Sequence, residues 1–126
     1  MNARFCLVAA SISGAIAVMM GAFTAHALKD TLSSKLMAVM QTGVQYQFYH
    51  SLALLLVGLL LQQRPTALLK VSAASFLAGI VLFCGSLYLL AFSGVHGIGI
   101  VTPIGGLAFI AGWLILARNF ITLDKR

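Results

Sequence analysis

The sequence predicts an all-α polytopic membrane protein: four transmembrane helices in a compact bundle, with a short interfacial helix on the outer surface. Of its 126 residues, 61% are hydrophobic and only 8% are charged, whereas a soluble domain carries about 25% charged residues. The mean hydropathy is +1.05, and four apolar runs are long enough to cross a bilayer. This composition excludes secreted disulfide scaffolds, disordered regulators and nucleic-acid-binding modules.

The four predicted spans form one domain covering residues 1–126. A helix needs roughly 20 apolar residues to cross about 30 Å of hydrocarbon, and each segment lacks Asp, Glu and Arg. Lys70 lies one turn inside the third span, where its flexible stem reaches the headgroups. The first run exceeds the roughly 7 to 15 apolar residues of a signal peptide, so we expect it to be retained. The predicted spans are residues 5–25, 44–61, 67–92 and 98–117.

The segment between the first two spans, residues 28–40, predicts a short helix lying flat on the membrane surface. Its apolar residues recur every four positions, which is typical of an interfacial amphipathic helix. Asp30 or Thr31 is its predicted cap. A solvated loop is the alternative. The apolar positions are Leu28, Leu32, Leu36 and Met40.

The basic residues predict that both termini face the cytoplasm. With four spans, the termini share a side with the link between the second and third spans, and that side holds six of the eight Lys and Arg residues. Cytoplasmic segments are the ones that retain Lys and Arg. Because these residues are scattered without interleaved aromatics, the net charge of +6 does not indicate a nucleic-acid partner. The six are Arg4, Arg64, Lys70, Arg118, Lys125 and Arg126; Lys29 and Lys35 lie on the other side.

Small residues predict where the helices pack. The hydrophobic effect does not drive helices together in lipid, so close backbone approach through small side chains must contribute. These faces serve either the chain's own helices or a neighbouring subunit, and the expected partners are the lipid bilayer and a second copy or larger membrane complex. The packing candidates are Ser13, Ala17, Gly21, Gly79, Gly85, Gly105, Gly106 and Gly112.

Polar residues inside the spans are the candidate functional groups, because polar side chains are costly in lipid. His50 lies about two turns into the membrane, too deep to reach bulk water, so we expect it to face the interior. Three roles stay open: a neutral histidine that fixes helix register, a proton or ligand role, and a metal or haem role. The candidate cluster is His26, Gln45, Tyr46, Tyr49, His50, Tyr88, His96, Thr102 and Pro103.

The Thr102–Pro103 pair predicts irregular backbone near the start of the fourth span. A proline at the first helical position after a threonine cap indicates a helix beginning at Pro103. If the helix instead begins near Gly97, Pro103 leaves the carbonyl of Gly99 without its helical partner. Either arrangement implies a corner covered by protein or water.

The sequence carries no catalytic motif. Asp30 and Asp124 are its only carboxylic side chains, so paired-carboxylate chemistry is set aside. Cys6 and Cys84 lie at the inner end of one span and midway along another, which predicts packing roles rather than a disulfide. We therefore expect no enzymatic activity, metal or cofactor.

Four stretches resemble the YgdD-like family of small bacterial inner-membrane proteins, a domain of unknown function with mitochondrial relatives. The resemblance covers nearly the whole chain, and the motifs match in type, order and spacing. Thr24 replaces a usual Gly and Cys84 a usual Ser. The resemblance implies a four-helix plasma-membrane protein and brings no established activity. The stretches are GAFTAHALK (21–29), QYQFYHSLA (45–53), LFCGSLYLL (82–90) and TPIGG (102–106) with AGW (111–113).

Three functions are consistent with these observations. The first is a noncatalytic structural or accessory protein that packs against itself or a larger membrane complex. The second is a transporter or channel-like protein for a small solute or proton, whose outward cavity is lined by His50, Gln45, Tyr46 and the 102–103 corner. The third is a redox, quinone-binding or haem-binding subunit that uses His26 and His50.

Overall fold

The structure, a computed structural model, describes residues 1–123. This part of the chain forms four long helical spans and contains no strand. Each span is long and apolar enough to cross a membrane, which confirms the predicted all-α class with four transmembrane helices. Asp124, Lys125 and Arg126, two of which enter the predicted charge count, lie outside the described residues. The spans are α1 (Ala3–His26), α2 (Ser34–Gln63), a third span of α3 (Ala67–Gly79), a π-helical segment (Ile80–Cys84) and α4 (Gly85–Ser93), and a fourth of a 3₁₀ turn (His96–Ile100) and α5 (Val101–Leu123).

Polar caps start three of the helices. The side chain of Asn2 accepts a hydrogen bond from the Phe5 amide at 2.8 Å, and Ser33 accepts one from the Leu36 amide at 3.2 Å. Thr66 accepts one from the Leu69 amide at 3.1 Å. Each cap satisfies an amide that has no partner within the helix.

The predicted interfacial helix over residues 28–40 is wrong. Residues 27–33 form turns, and α2 begins at Ser34, so the later part of the segment is the start of the long second helix. Ser33, rather than Asp30 or Thr31, is the cap. The four-residue apolar spacing arose because Leu28 and Met40 pack with Ala91 in a small core that closes this end of the protein.

The fourth span begins between its two predicted starts. Gly94, with a φ of 71° in the left-handed region, ends α4. The 3₁₀ turn follows, and α5 begins at Val101. Thr102 is therefore not a cap; its hydroxyl instead lies 2.6 Å from that of Ser86 on α4. Pro103 falls in the first turn of α5, where a helix tolerates proline.

The second and third spans form the centre of the protein. α1 packs chiefly on α2, α5 packs chiefly on the third span, and α2 packs on the third span. A main apolar core, which includes Phe76, Leu54 and Val57, joins the spans.

Side-chain hydrogen bonds link the third span to α5 along its length. The Thr66 hydroxyl donates to Asn119 Oδ1 at 2.7 Å, and the Ser72 hydroxyl donates to the Gly112 carbonyl at 2.8 Å. With the contact of Thr102, these bonds fix the register of the two spans at both ends and in the middle.

Candidate functional site

A buried hydrogen-bond network lies midway along α1 and α2. Gln47 is only 4% exposed. Its side-chain amide donates to the Ser13 carbonyl at 3.0 Å and to the Ser13 hydroxyl at 3.3 Å. Its carbonyl oxygen accepts from the Tyr88 hydroxyl at 2.6 Å, and Ser51 lies 2.7 Å from Ser13, oxygen to oxygen. The network therefore ties α1, α2 and α4 together.

The polar cluster predicted from the sequence includes Gln45 but not Gln47. Gln45 is exposed on the surface of α2, whereas Gly43, Gln47 and Ser51 are buried. The missed signal was spacing: these three residues recur every four positions, as one face of a helix does. Tyr88, named as a candidate, does belong to the network.

His50 bridges α2 to α5 through Trp113. His50 is 6% exposed, so its ring lies in the interior. Its Nδ1 lies 2.7 Å from the Tyr46 carbonyl, and its Nε2 accepts a hydrogen bond from Trp113 Nε1 at 3.1 Å. The ring also stacks on Phe109, with centroids 3.6 Å apart and planes 10° apart. The role of Trp113 was not foreseen, because nothing in the sequence places α5 beside α2.

These contacts define the protonation state of His50. The indole of Trp113 is a donor only, so His50 Nε2 must be unprotonated. A carbonyl is an acceptor only, so Nδ1 carries the proton. Both ring nitrogens therefore already make hydrogen bonds within the chain. A metal ion or haem iron could bind Nε2 only after displacing Trp113.

The three histidines do not converge. His26 and His96 are exposed, whereas His50 is buried. Gly21 of α1 lies level with Val44 of α2, so His26 is displaced from His50 by eleven residues, or about 16 Å of helix rise. Within residues 1–123, no group of three His, Cys, Asp or Glu side chains is arranged to hold a metal. The structure therefore gives no support to a site built on His26 and His50 together.

An open cavity of about 400 Å³ lies beside His50, between α2 and α5. We call it the aromatic groove. It contains two predicted candidates besides His50, namely Tyr46 and Tyr49, but neither Gln45 nor the Thr102–Pro103 corner lines it. The predicted outward cavity lined by His50, Gln45, Tyr46 and the 102–103 corner is therefore not a single cavity. His50 and Tyr46 line the aromatic groove, whereas Gln45 lines separate cavities. The groove is lined by Tyr46, Tyr49, His50, Gly106, Phe109, Ile110 and Trp113.

A second groove lies between α1 and α2, which we call the α1–α2 groove. It comprises two adjoining cavities of about 420 and 410 Å³ that share Gly21, Val44 and Gln45. Exposed Gln41 and Gln45 stand on its α2 wall. Its α1 wall consists of the small residues Ala17, Gly21, Ala22 and Ala25, with Val18 and Thr24.

Three of the predicted packing glycines lie at close contacts between the third span and α5. A methyl group added at Gly79 or Gly112 would overlap the ring of Phe109 or Phe76, and one added at Gly105 would overlap the backbone of Phe83. These glycines let the two spans approach closely.

The other packing candidates divide by location. On α1, Ser13 and Ala17 are buried, and a methyl at Gly21 would lie 3.3 Å from Val44. Gly85 and Gly106 make no close helix contact within the described chain. A methyl at Gly85 would meet no atom within 4 Å, and one at Gly106 would meet only the Phe83 ring at 3.8 Å, because both residues face open grooves.

Both cysteines are buried and free. Within residues 1–123, every buried side-chain nitrogen and oxygen has a hydrogen-bond partner. Fold and sites together define a four-span integral membrane protein whose buried polar side chains join its own helices.

The chain belongs to the family described as "Protein of unknown function (DUF423)", whose model matches residues 20–106. It is 41% identical over 126 residues to the "UPF0382 inner membrane protein YgdD" of Escherichia coli strain K12, covering 100% of this chain and 96% of the relative. It is 46% identical over 111 residues to the "UPF0382 membrane protein SH2409" of Staphylococcus haemolyticus, covering 83% and 88%. These matches confirm the predicted resemblance. No solved structure matches the chain.

Proposed function

We propose that the protein is a noncatalytic structural or accessory subunit of the bacterial inner membrane, which packs through its α1–α2 groove against another membrane-spanning helix. That helix belongs to a second copy of this chain or to a larger membrane complex. The observation that carries the proposal is the pair of exposed amides, Gln41 and Gln45, on the wall of a groove in the outer part of α2, the helix that forms the second span.

An exposed glutamine amide is costly in hydrocarbon because lipid tails offer it no hydrogen bond. Neither Gln41 nor Gln45 makes a side-chain hydrogen bond to any other residue of the described chain, whereas Gln47, one face away, makes three. A facing helix supplies the missing donors and acceptors. The small residues opposite, Gly21 and Ala25, let its backbone approach closely enough to do so.

The interior of the chain supports a packing role over transport. The core is filled by large apolar side chains, including Phe76, Met40 and Leu54. His50, the buried titratable residue of the candidate cluster, is held by hydrogen bonds at both nitrogens. A proton relay through His50 would require Trp113 to leave its acceptor.

The orientation proposed with this function places both termini in the cytoplasm. Four basic residues of the described chain lie at or near the end that holds the N-terminus and the link between α2 and α3, whereas Lys29 and Lys35 lie at the other end. The four are Arg4, Arg64, Lys70 and Arg118. The excess of basic residues at the first end supports this orientation. The α1–α2 groove then lies in the outer half of the membrane.

The test is native mass spectrometry of the affinity-tagged protein, extracted in a mild detergent. We expect the wild type to appear as a homo-oligomer or in a defined complex. The double variant Gln41→Leu/Gln45→Leu should appear mainly as a free monomer, because the facing helix loses its hydrogen-bonding partners.

A matched control is available on the same helix. Gln62→Leu/Gln63→Leu makes the same chemical change at two exposed glutamines near the other end of α2, and it should leave the association intact. A wild type that is monomeric and without partners refutes the proposal. So does an association that the Gln41→Leu/Gln45→Leu variant keeps in full.

A further inference from the structure

We propose that the aromatic groove binds a flat, lipid-soluble ring that carries carbonyl acceptors, the chemistry of a membrane quinone head group. This groove adjoins the α1–α2 groove, with which it shares Tyr49. The inference does not depend on the proposed packing function. It rests on four features of the groove: its access, its shape, its hydrogen-bond donors and its open glycine.

The groove opens sideways, toward the lipid. Its rim residues Tyr49, Ile110 and Trp113 are 54%, 55% and 46% exposed, although all three lie within membrane-spanning helices. A molecule that reaches this cavity therefore arrives through the bilayer. A lipid-soluble ligand meets that condition, and a charged metabolite does not.

The walls of the groove are aromatic planes. The stacked rings of His50 and Phe109 form one wall. Tyr46 stacks on Phe83 with centroids 4.8 Å apart, which holds its ring at the edge of the cavity. Aromatic faces pack best against another flat ring. The volume of about 400 Å³ is within the range of small-molecule sites, roughly 300 to 1,000 Å³.

The free polar groups of the groove are phenol hydroxyls. Trp113 Nε1 donates its hydrogen bond to His50 Nε2, and His50 Nδ1 is bonded to the Tyr46 carbonyl. These nitrogens therefore offer a ligand no hydrogen bond without rearrangement. The hydroxyls of Tyr46 and Tyr49 make no hydrogen bond to residues 1–123, in contrast to that of Tyr88. A phenol O–H donates, and a ligand carbonyl on the ring would accept.

Gly106 keeps the groove open without serving the fold. Its neighbour Gly105 is required by contact with the Phe83 backbone, but a methyl at Gly106 meets only the Phe83 ring at 3.8 Å. A larger side chain at Gly106 would therefore occupy the groove and leave the helix contact in place. This separates the binding site from the packing of α5.

Trp113 makes binding directly measurable, because it is the only tryptophan in the chain and it lines the groove. The experiment titrates decylubiquinone, a short-chain benzoquinone, into the purified full chain in detergent micelles and follows Trp113 emission. We expect saturable quenching. Gly106→Leu should raise the apparent Kd about tenfold or more, since the leucine side chain occupies the space of the quinone ring.

Two controls keep the result specific. Gly85→Leu adds the same side chain at another open position that lines a different cavity, and its titration should match the wild type. Tyr46→Phe/Tyr49→Phe keeps both rings and removes both hydroxyls, so it should raise the apparent Kd by about two- to tenfold. This variant also decides the matter if Gly106→Leu fails to fold.

Quenching that rises linearly with quinone and is the same in every variant shows partition into the micelle only, and it overturns the proposal. Equal saturable binding of decylbenzene, which has the ring and chain but no carbonyls, overturns the assignment of the ligand class. A saturable response that needs the carbonyls, the hydroxyls and the open Gly106 supports it.

Discussion

The substitution Gly105→Ala tests the closest helix contact in the protein. A methyl group at this position would lie 2.7 Å from Phe83 Cα and closer still to the Phe83 amide nitrogen. Carbon atoms in contact prefer about 3.5 to 4.0 Å, so α5 and the π-helical segment must separate by about 1 Å. Both sides of this contact are backbone, and no side-chain rotation relieves it.

Overpacking a core costs typically 1 to 3 kcal/mol, and a backbone clash belongs at the upper end. The shift also loosens the contacts of Gly79 with Phe109 and of Gly112 with Phe76. We therefore expect Gly105→Ala to lower the free energy of unfolding by about 3 kcal/mol. Gly106→Ala, one residue along, should change it by less than about 0.5 kcal/mol.

The assay is reversible unfolding in mixed micelles with increasing SDS, followed by the emission of the single tryptophan. The two variants differ only in which of two adjacent glycines gains a methyl group. If Gly105→Ala and Gly106→Ala unfold at the same SDS fraction as the wild type, the contact is not as close as described and the reasoning fails.

Three further predictions concern stability and accessibility. Gln47→Leu should lower the free energy of unfolding by about 2 kcal/mol, because it removes three hydrogen bonds and leaves the Tyr88 hydroxyl without its acceptor, whereas Gln45→Leu should not destabilise the monomer. Thr66→Ala should cost about 1 to 2 kcal/mol through loss of the α3 cap, measured by thermal unfolding in detergent. Cys6 and Cys84, 0% and 1% exposed, should react with a maleimide only after SDS denaturation, as read by mass spectrometry.

Each of these has its own check. Thr66→Ser keeps the capping hydroxyl and should retain most of the stability that Thr66→Ala loses. Equal loss in Gln47→Leu and Gln45→Leu would show that burial does not distinguish the two amides. Rapid labelling of Cys6 or Cys84 in the folded protein would contradict the packing of the core at those positions.

The outline of the fold follows from the sequence because it depends on local properties. A membrane span must satisfy its own backbone hydrogen bonds, so the length and hydropathy of each run decide whether it forms a helix. The helix caps at Asn2 and Thr66 are also local, because each side chain accepts a hydrogen bond from the amide three residues further along the chain. Residues 28–40 were predicted wrongly because their apolar side chains meet partners that are remote in sequence, as Met40 does with Ala91.

The sites depend on helix rotation, which the sequence leaves open. Gln45 and Gln47 are two positions apart on α2, yet one is exposed in a groove and the other is buried with three hydrogen bonds. Gly105 and Gly106 are adjacent, yet one meets the backbone of Phe83 and the other borders a cavity. A local pattern cannot rank such neighbours, because either residue fits a transmembrane helix.

The four membrane spans of this chain, and the segments in which its polar residues concentrate, can therefore be predicted from the sequence alone, since both are properties of contiguous segments. The hydrogen bond of His50 to Trp113, in place of a pairing with His26, depends instead on how the helices pack. α5 carries Trp113 to His50 because close contacts at its glycines hold it against the third span. Contacts between residues 63 positions apart arise from packing, and packing is a property of the whole fold.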